Sequence, residues 1–432
     1  MVRSVLGGAA ALLLCVLVLS GAFEAFPHQA GADFYQFWGV PEAKRLSGNP
    51  RTPYVDAPGY AATLNALSDA SSSNKLHAAN ALRRTLEPLG TPFLYAAFSI
   101  LPGDYESAQA IFVTLIYAGA AFAMMTLASL RGLGFRAAAC AAFAVELTFA
   151  PFMLDVRAAN VNSLQLAFIA ALVWIAARNV STGSTWGDAL LLGGLAPFVL
   201  FKPNAAWIAL ALAIQYALAR GRRQFLVGTA AAALLAVAAF AVGAAYFGGV
   251  SAWGEWIGLA GGMEKGYALT LEEGNASLAI WLARHGGLFG GLGSGALLGS
   301  ALALLLVLAM TAMGRRTDLL VPTAKRAFCN PWFAASVGVI FTFATSPLVW
   351  SHYFVLALVP MAWLVGRDGW TGVGTWGAVI CYAALASGTI DVLMWGGHMA
   401  ALYAMTMLSW VALVPGLLAY VAGERRSLEA PA

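Results

Sequence analysis

Asp33 stands in the run Asp33-Phe34-Tyr35-Gln36-Phe37-Trp38, soon after an apolar stretch at 5–23. A carboxylate there sits at a membrane surface with aromatic residues behind it, which suits a general base acting on a lipid-borne substrate. The plainer alternative is a helix cap, since Asp is a favoured N-cap residue. His352 lies in Ser346-Pro347-Leu348-Val349-Trp350-Ser351-His352-Tyr353, between two apolar runs. An imidazole at that edge can pass a proton, or hold an anion when charged; a solvated ring in a proline turn is the other reading. Lys202, in Lys202-Pro203-Asn204, separates two apolar stretches. Its ammonium must reach an interface or find a partner. Asp155, Arg157, Asn160 and Asn162 form another polar cluster between apolar runs. Gly274-Asn275-Ala276-Ser277-Leu278, followed by Arg284, supplies versatile hydrogen-bonding groups and a guanidinium able to grip a phosphate. It would equally serve as a loop entering a helix, with Asn275 or Ser277 as cap. Glu146 falls within an apolar stretch, where a carboxylate is either protonated or paired.

The elements that must hold these residues are membrane helices. Of 432 residues, 60% are hydrophobic and 10% charged, against roughly a quarter charged in soluble domains. This composition predicts an all-α polytopic membrane protein, organised as a single domain over 1–432. Apolar stretches predict about 12 transmembrane helices, near 5–23, 107–130, 137–154, 161–178, 188–201, 204–219, 224–247, 286–313, 331–347, 350–366, 371–390 and 399–422. The first is read as an uncleaved helix and not as a signal peptide. Pro203 breaks a stretch too long for one span into a tight hairpin. The segment 92–103 is too short to cross and reads as re-entrant or interfacial. An amphipathic helix at 34–46 is expected to lie on the membrane, with Tyr35, Phe37 and Trp38 as interfacial aromatics.

Charge sets the orientation. Arg131, Arg136, Arg178, Arg220, Arg222, Arg223, Lys325, Arg326, Arg367, Arg425 and Arg426 fall in loops of one side, which the positive-inside rule makes cytoplasmic, with both termini. The long loops 24–106 and 248–285 then face outward, carrying most of the reactive-looking residues. The net charge of +4 gives no indication of nucleic acid as a partner. The cysteines form no CxxC pair, so neither a disulfide framework nor a metal site is indicated.

In order along the chain, Asp33-Phe34-Tyr35 with Gly48-Asn49-Pro50 and Tyr54, Asn160-Val161-Asn162, Lys202-Pro203, Gly274-Asn275-Ala276-Ser277-Leu278, and Ser346-Pro347 with Trp350-Ser351-His352-Tyr353 form a set. This set resembles glycosyltransferase family 87, the integral-membrane mannosyltransferase-like proteins of GT-C type, and covers most of the chain. Two departures stand out. Ala159 precedes Asn160 where the family often has Gly-Gln before the asparagine, and Ala276 stands where a glutamine is frequent. The resemblance implies a GT-C-like fold in a bacterial plasma membrane, with the active site on the periplasmic side. It implies transfer of a hexose, mannose being one candidate, from a polyprenyl-phosphate sugar donor to a lipid or glycan acceptor, among membrane lipids. The reaction would be a single inverting displacement needing neither cofactor nor metal. Asp33 would act as base, with His352 as its catalytic companion. His352, Lys202 and Arg284 would be candidates for the leaving phosphate. Tyr35, Asn160, Asn162, Asn275, Ser277, Trp350 and Tyr353 complete the expected substrate-binding set. The rival readings are a secondary transporter and a non-catalytic lipid-handling membrane protein.

Overall fold

The computed structural model describes residues 30–182, 185–266, 276–278, 317–346, 348–394 and 408–429. Asn275, Arg284 and the expected helix at 5–23 lie outside them, as does the expected helix at 286–313. Among the described residues every extended element is helical and no strand occurs. In chain order these are α1 (Ala32–Ser47), α2 (Ala57–Ala70), α3 (Asn74–Leu82), α4 (Pro92–Phe98), α5 (Tyr105–Leu130), α6 (Phe135–Thr148), α7 (Ala150–Ala158), α8 (Asn162–Thr182) and α9 (Thr185–Phe201). They continue with α10 (Ala206–Ala219), α11 (Arg222–Phe247), α12 (Ser251–Gly266), α13 (Leu320–Phe328), α14 (Pro331–Thr345), α15 (Leu358–Leu364), α16 (Val373–Met394) and α17 (Val414–Glu429).

Among the described residues two helices, α5 and α11, each 26 residues, are long and apolar enough to cross a membrane unbroken. Two further pairs qualify only if each bent pair counts as one span: α6 with α7, bent by 68°, and α13 with α14, bent by 96°. The remaining apolar stretches among the described residues form shorter helices, such as Ala189–Phe201 and Pro203–Ala219, and of the 12 expected spans those at 5–23 and 286–313 lie outside the described residues. The breaks have local causes. Phe149 ends α6 and caps α7, whose first turn holds Pro151. Asn330 caps the α14 amides of Trp332 and Phe333 ahead of Pro331. A proline lacks the donor that would continue the preceding helix. At Lys202-Pro203 the chain leaves α9, makes a short 3₁₀ turn at Pro203–Ala205 and enters α10, so the break expected from Pro203 is present.

Apolar burial positions these pieces. α11 exposes Leu234 at 69% and Val237 at 65%, a surface suited to lipid and not to water. Where helices meet, small residues allow close approach, as in membrane bundles. A side chain at Gly338 of α14 would put its Cβ 2.5 Å from the Ile208 Cα of α10.

The segment around 34–46 departs from expectation. α1 matches the predicted 34–46 within two residues at its start and one at its end, yet it does not lie on a surface. Phe34, Tyr35, Trp38, Val40 and Ala43 are all buried. Phe34 stacks on Phe112 at 5.2 Å, and Trp38 meets Tyr105 edge-on at 5.0 Å. Trp38 Nε1 donates to the Pro102 carbonyl at 3.0 Å, and the Tyr105 hydroxyl donates to the Ala30 carbonyl. Of the three rings read as interfacial, Tyr35 and Trp38 are core residues, and Phe37 is half-buried against Phe98.

The basic residues gather at the opposite end. Arg131 Nη2 donates to the Val365 carbonyl at 2.8 Å, Arg326 pairs with Glu424 at 2.8 Å, and Arg367 stacks 4.0 Å over Tyr420. Loops predicted to share one side thus touch one another. α5 runs from Tyr105, bonded beside Asp33, to Arg131 at that basic end.

Candidate functional site

Asp33 lies in the first turn of α1 but is not its cap. The cap position is Gly31, in the left-handed conformation (φ 65°), with no side-chain cap bond. The carboxylate is free to face inward. Its Oδ2 accepts from Asn160 Nδ2 at 2.6 Å and its Oδ1 from Arg83 Nη2 at 3.2 Å. His352 Nε2 lies 3.6 Å from Oδ2.

Asn160 is positioned by strain. Ala159 ends α7 at φ 50°, the only non-glycine residue with positive φ among those described, in a region costing an L-residue about 1–2 kcal/mol. This turn folds the chain back so that Asn160 N–H donates to the Asp155 carbonyl at 3.0 Å. The amide of Asn160 can then bond on both sides. Its nitrogen meets Asp33 and, at 3.3 Å, His352 Nε2; its oxygen accepts from Lys202 Nζ at 2.7 Å.

Lys202 leaves the C-terminal end of α9, where carbonyl dipoles favour a cation. Nζ also donates to Asn162 Oδ1 at 2.7 Å and sits 4.5 Å over the Tyr353 ring. Asn162 passes the contact on to Asp155, whose Oδ1 accepts its Nδ2 at 2.9 Å. Asp155 Oδ2 takes both the backbone amide and the hydroxyl of Ser163, at 2.8 and 2.6 Å. A fully buried carboxylate thereby caps the start of α8 and faces the only lysine of the group. Burial lowers the Lys202 ammonium from its ordinary value, while the Asp155 and Asp33 carboxylates pull it back up.

His352 is the second residue of a 3₁₀ turn, Ser351–Ala357, and its side chain is 11% exposed. The loop before it is held by Ala276 and Ser277. Ala276 N–H donates to the Val349 carbonyl at 2.6 Å, and Ser277 Oγ to the Ser346 carbonyl at 2.6 Å. Trp350 starts the turn, its carbonyl accepting from Tyr353 N–H at 2.8 Å.

Asp33, Asn160, Asn162, Lys202, His352 and Tyr353, drawn from four distant parts of the chain, therefore form one contiguous group. Ser277 and Trp350 shape the loop beneath His352. Tyr35 is turned elsewhere. It is buried and donates its hydroxyl to Asn80 Oδ1 at 2.8 Å, so its observed role is to brace α1 on α3. The Gly48-Asn49-Pro50 turn closes the far end of α1. There Asn49 Nδ2 donates to Asp56, and this bond, with the Gly59 amide, holds the Asp56 carboxyl below its usual value. Sequence reasoning missed Arg83 as a site residue, because one arginine among six basic residues of a long loop carries no distinguishing pattern. It noted Asp155 without a role; a carboxylate eight residues before a Ser at a helix start was the available signal.

The group offers a carboxylate, an imidazole and two cations around one point. That combination can take a proton from a hydroxyl and steady an anion nearby. No family model, curated protein or solved structure matches this chain.

Proposed function

We propose that the chain is a glycosyltransferase of the bacterial plasma membrane, using a polyprenyl-phosphate hexose at the outer face through a GT-C-like fold. The observation that carries this reading is the convergence on Asp33 of Asn160, His352 and Lys202 from widely separated segments. Such residues are costly within an apolar protein, and their gathering at one point supports a shared task.

In this mechanism Asp33 accepts the proton of the acceptor hydroxyl as the oxygen attacks the anomeric carbon. The bond to the lipid phosphate breaks on the opposite face, with inversion. The phosphate leaves as a stable anion, so one carboxylate suffices, unlike the pair of a glycoside hydrolase. Lys202 and His352 steady the departing phosphate through charge-assisted hydrogen bonds. Asn160 orients Asp33 while keeping Lys202 at a fixed distance from it. The test compares membrane glycolipids and envelope glycans from cells with and without the gene, by mass spectrometry. The expected result is loss of one hexosylated species, restored by wild-type protein and not by Asp33→Asn. An unchanged profile, with no transfer by the purified protein, would count against the reading.

One observation favours secondary transport instead: Lys202 sits at a helix break and contacts a buried carboxylate network, a feature of transporter sites. Solute flux into proteoliposomes without sugar transfer would favour it.

A further inference from the structure

Arg83 is a second cation at the carboxylate, and its contacts are all oxygens. Nη2 donates to Asp33 Oδ1 at 3.2 Å, and Nη1 lies 3.6 Å from Glu87 Oε2. With the Gln36 amide oriented to satisfy both its neighbours, Nε donates to the Gln36 oxygen at 3.0 Å. The residue follows α3 directly, its N–H bonded to the Asn80 carbonyl. Asn80 in turn receives the Tyr35 hydroxyl, so the backbone at this point is tied to α1. The Arg83 side chain remains 29% exposed, more than the 17% of Asp33. A firmly mounted residue thus lays a long, partly accessible side chain beside the less exposed Asp33 carboxylate.

A guanidinium beside a carboxylate holds it in place but also competes with any other use of it. A phosphate arriving there meets the opposite problem. It is attracted by Lys202 and Arg83 and repelled by Asp33. The planar fork of Arg matches phosphate oxygens at least as well as a single carboxylate oxygen. We infer that Arg83 is a further ligand of the lipid phosphate, beside Lys202 and His352, and that it leaves Asp33 to take that phosphate, so releasing the carboxylate for the acceptor hydroxyl only when donor is present. This rests on the proposed transferase reading and adds a phosphate ligand and an order of events. Arg83 acts on the base as a positioning residue and on the phosphate directly.

The contact makes a coupling prediction that a purely structural ion pair would not. Equilibrium binding of polyprenyl monophosphate is measured on the full-length protein in nanodiscs, for wild type, Asp33→Asn, Arg83→Gln and the double variant. Asp33→Asn is expected to bind the lipid phosphate more tightly, because repulsion and competition for Arg83 are both removed. Arg83→Gln is expected to weaken binding about tenfold, the size of one charge-assisted hydrogen bond, with Arg83→Lys recovering part of it. In the double variant the gain from Asp33→Asn is expected to shrink to the part that comes from relieved repulsion alone. Polyprenol without the phosphate is expected to show no dependence on Arg83. Competition by inorganic phosphate, lost in Arg83→Gln, supports the inference with phosphate itself as the recognised unit. Arg83-dependent binding without such competition supports it with the tethered headgroup as that unit. Wild-type affinity in folded Arg83→Gln, or a gain from Asp33→Asn as large in the double variant as in the wild-type background, would overturn it. Arg83→Lys serves as the folded arginine variant if Arg83→Gln does not purify, and full wild-type affinity there, with no loss of the Asp33→Asn gain on that background, would equally overturn it. Binding is read without turnover, so a failure of sugar transfer indicts the proposed reaction separately from this inference.

Discussion

Lys202 ties two carboxylates together, the half-buried Asp33 and the buried Asp155. It reaches Asp33 through Asn160 and Asp155 through Asn162, so its charge is shared by two acids held apart by two amides. Removing the ammonium leaves the buried Asp155 carboxylate held by Asn162 and Ser163 alone, without the cation that faces it, and an uncompensated buried charge is destabilising. Lys202→Met is therefore expected to lower the thermal midpoint in detergent as well as turnover, whereas Lys202→Met combined with Asp155→Asn regains stability but not activity. The pH dependence follows from the direction of the Lys202 shift. Burial lets this lysine lose its proton at a lower pH than a free one. If its charged form holds the phosphate, the donor KM should rise on the alkaline side, earlier than an ordinary lysine would dictate. Lys202→Arg should remove that alkaline limb, and a limb that is unchanged would assign it elsewhere. At this scale the sequence was informative because charge in an apolar chain is rare and expensive. Asp33, Asn160, Lys202 and His352 stood out for that reason. Arg83 did not, since a long polar loop hides one useful arginine among others. Tyr35 misled for the converse reason: an aromatic next to a candidate base reads as substrate-facing, and here it packs.

Two backbone turns deliver the key side chains. Gly31, with φ 65°, precedes α1, and Ala159, with φ 50°, follows α7. They lie against each other: a Cβ on Gly31 would sit 3.4 Å from the Ala159 Cβ and 2.6 Å from Gln109 Nε2. Gly31→Ala is expected to cost about 1–2 kcal/mol from the left-handed backbone alone, and to reduce turnover by displacing Asp33 from Asn160. A thermal melt and a rate measurement check both. The contact between α10 and α14 is tighter still. Gly338→Val should push apart the helix that follows Lys202 and the helix that leads toward His352, lowering both stability and activity; a folded variant with wild-type turnover would show that this spacing is not needed. Elements were only partly legible. The Lys202-Pro203 break could be read because proline states its effect locally. The buried α1 could not, since the residues that cover it lie in α2, α3, α4 and α5, and nothing in 34–46 says which surface they will meet.

As a whole the molecule has two chemically distinct ends. Asp33, Asn160, Lys202 and His352 meet at one; Arg131, Arg326, Arg367 and Glu424 meet at the other, joined by α5. This separation was legible from charge alone, whereas the number of spans was not, because breaks at Pro151 and Pro331 turn apolar stretches into bent pieces. The orientation can be tested with single cysteines at Ser71 and Ser427, in a background lacking the four native ones. An impermeant thiol reagent should label position 71 in intact cells and position 427 only after permeabilisation; the reverse pattern would invert the topology. The central claim is that Asp33 is the base of a sugar transfer. Its most direct measurement is the rate of transfer of labelled hexose from a polyprenyl-phosphate donor by purified wild-type and Asp33→Asn protein of equal thermal stability. Loss of a general base should slow turnover by about 10²–10⁴-fold while lipid-phosphate binding is retained. Turnover by Asp33→Asn within a few-fold of wild type would contradict the account.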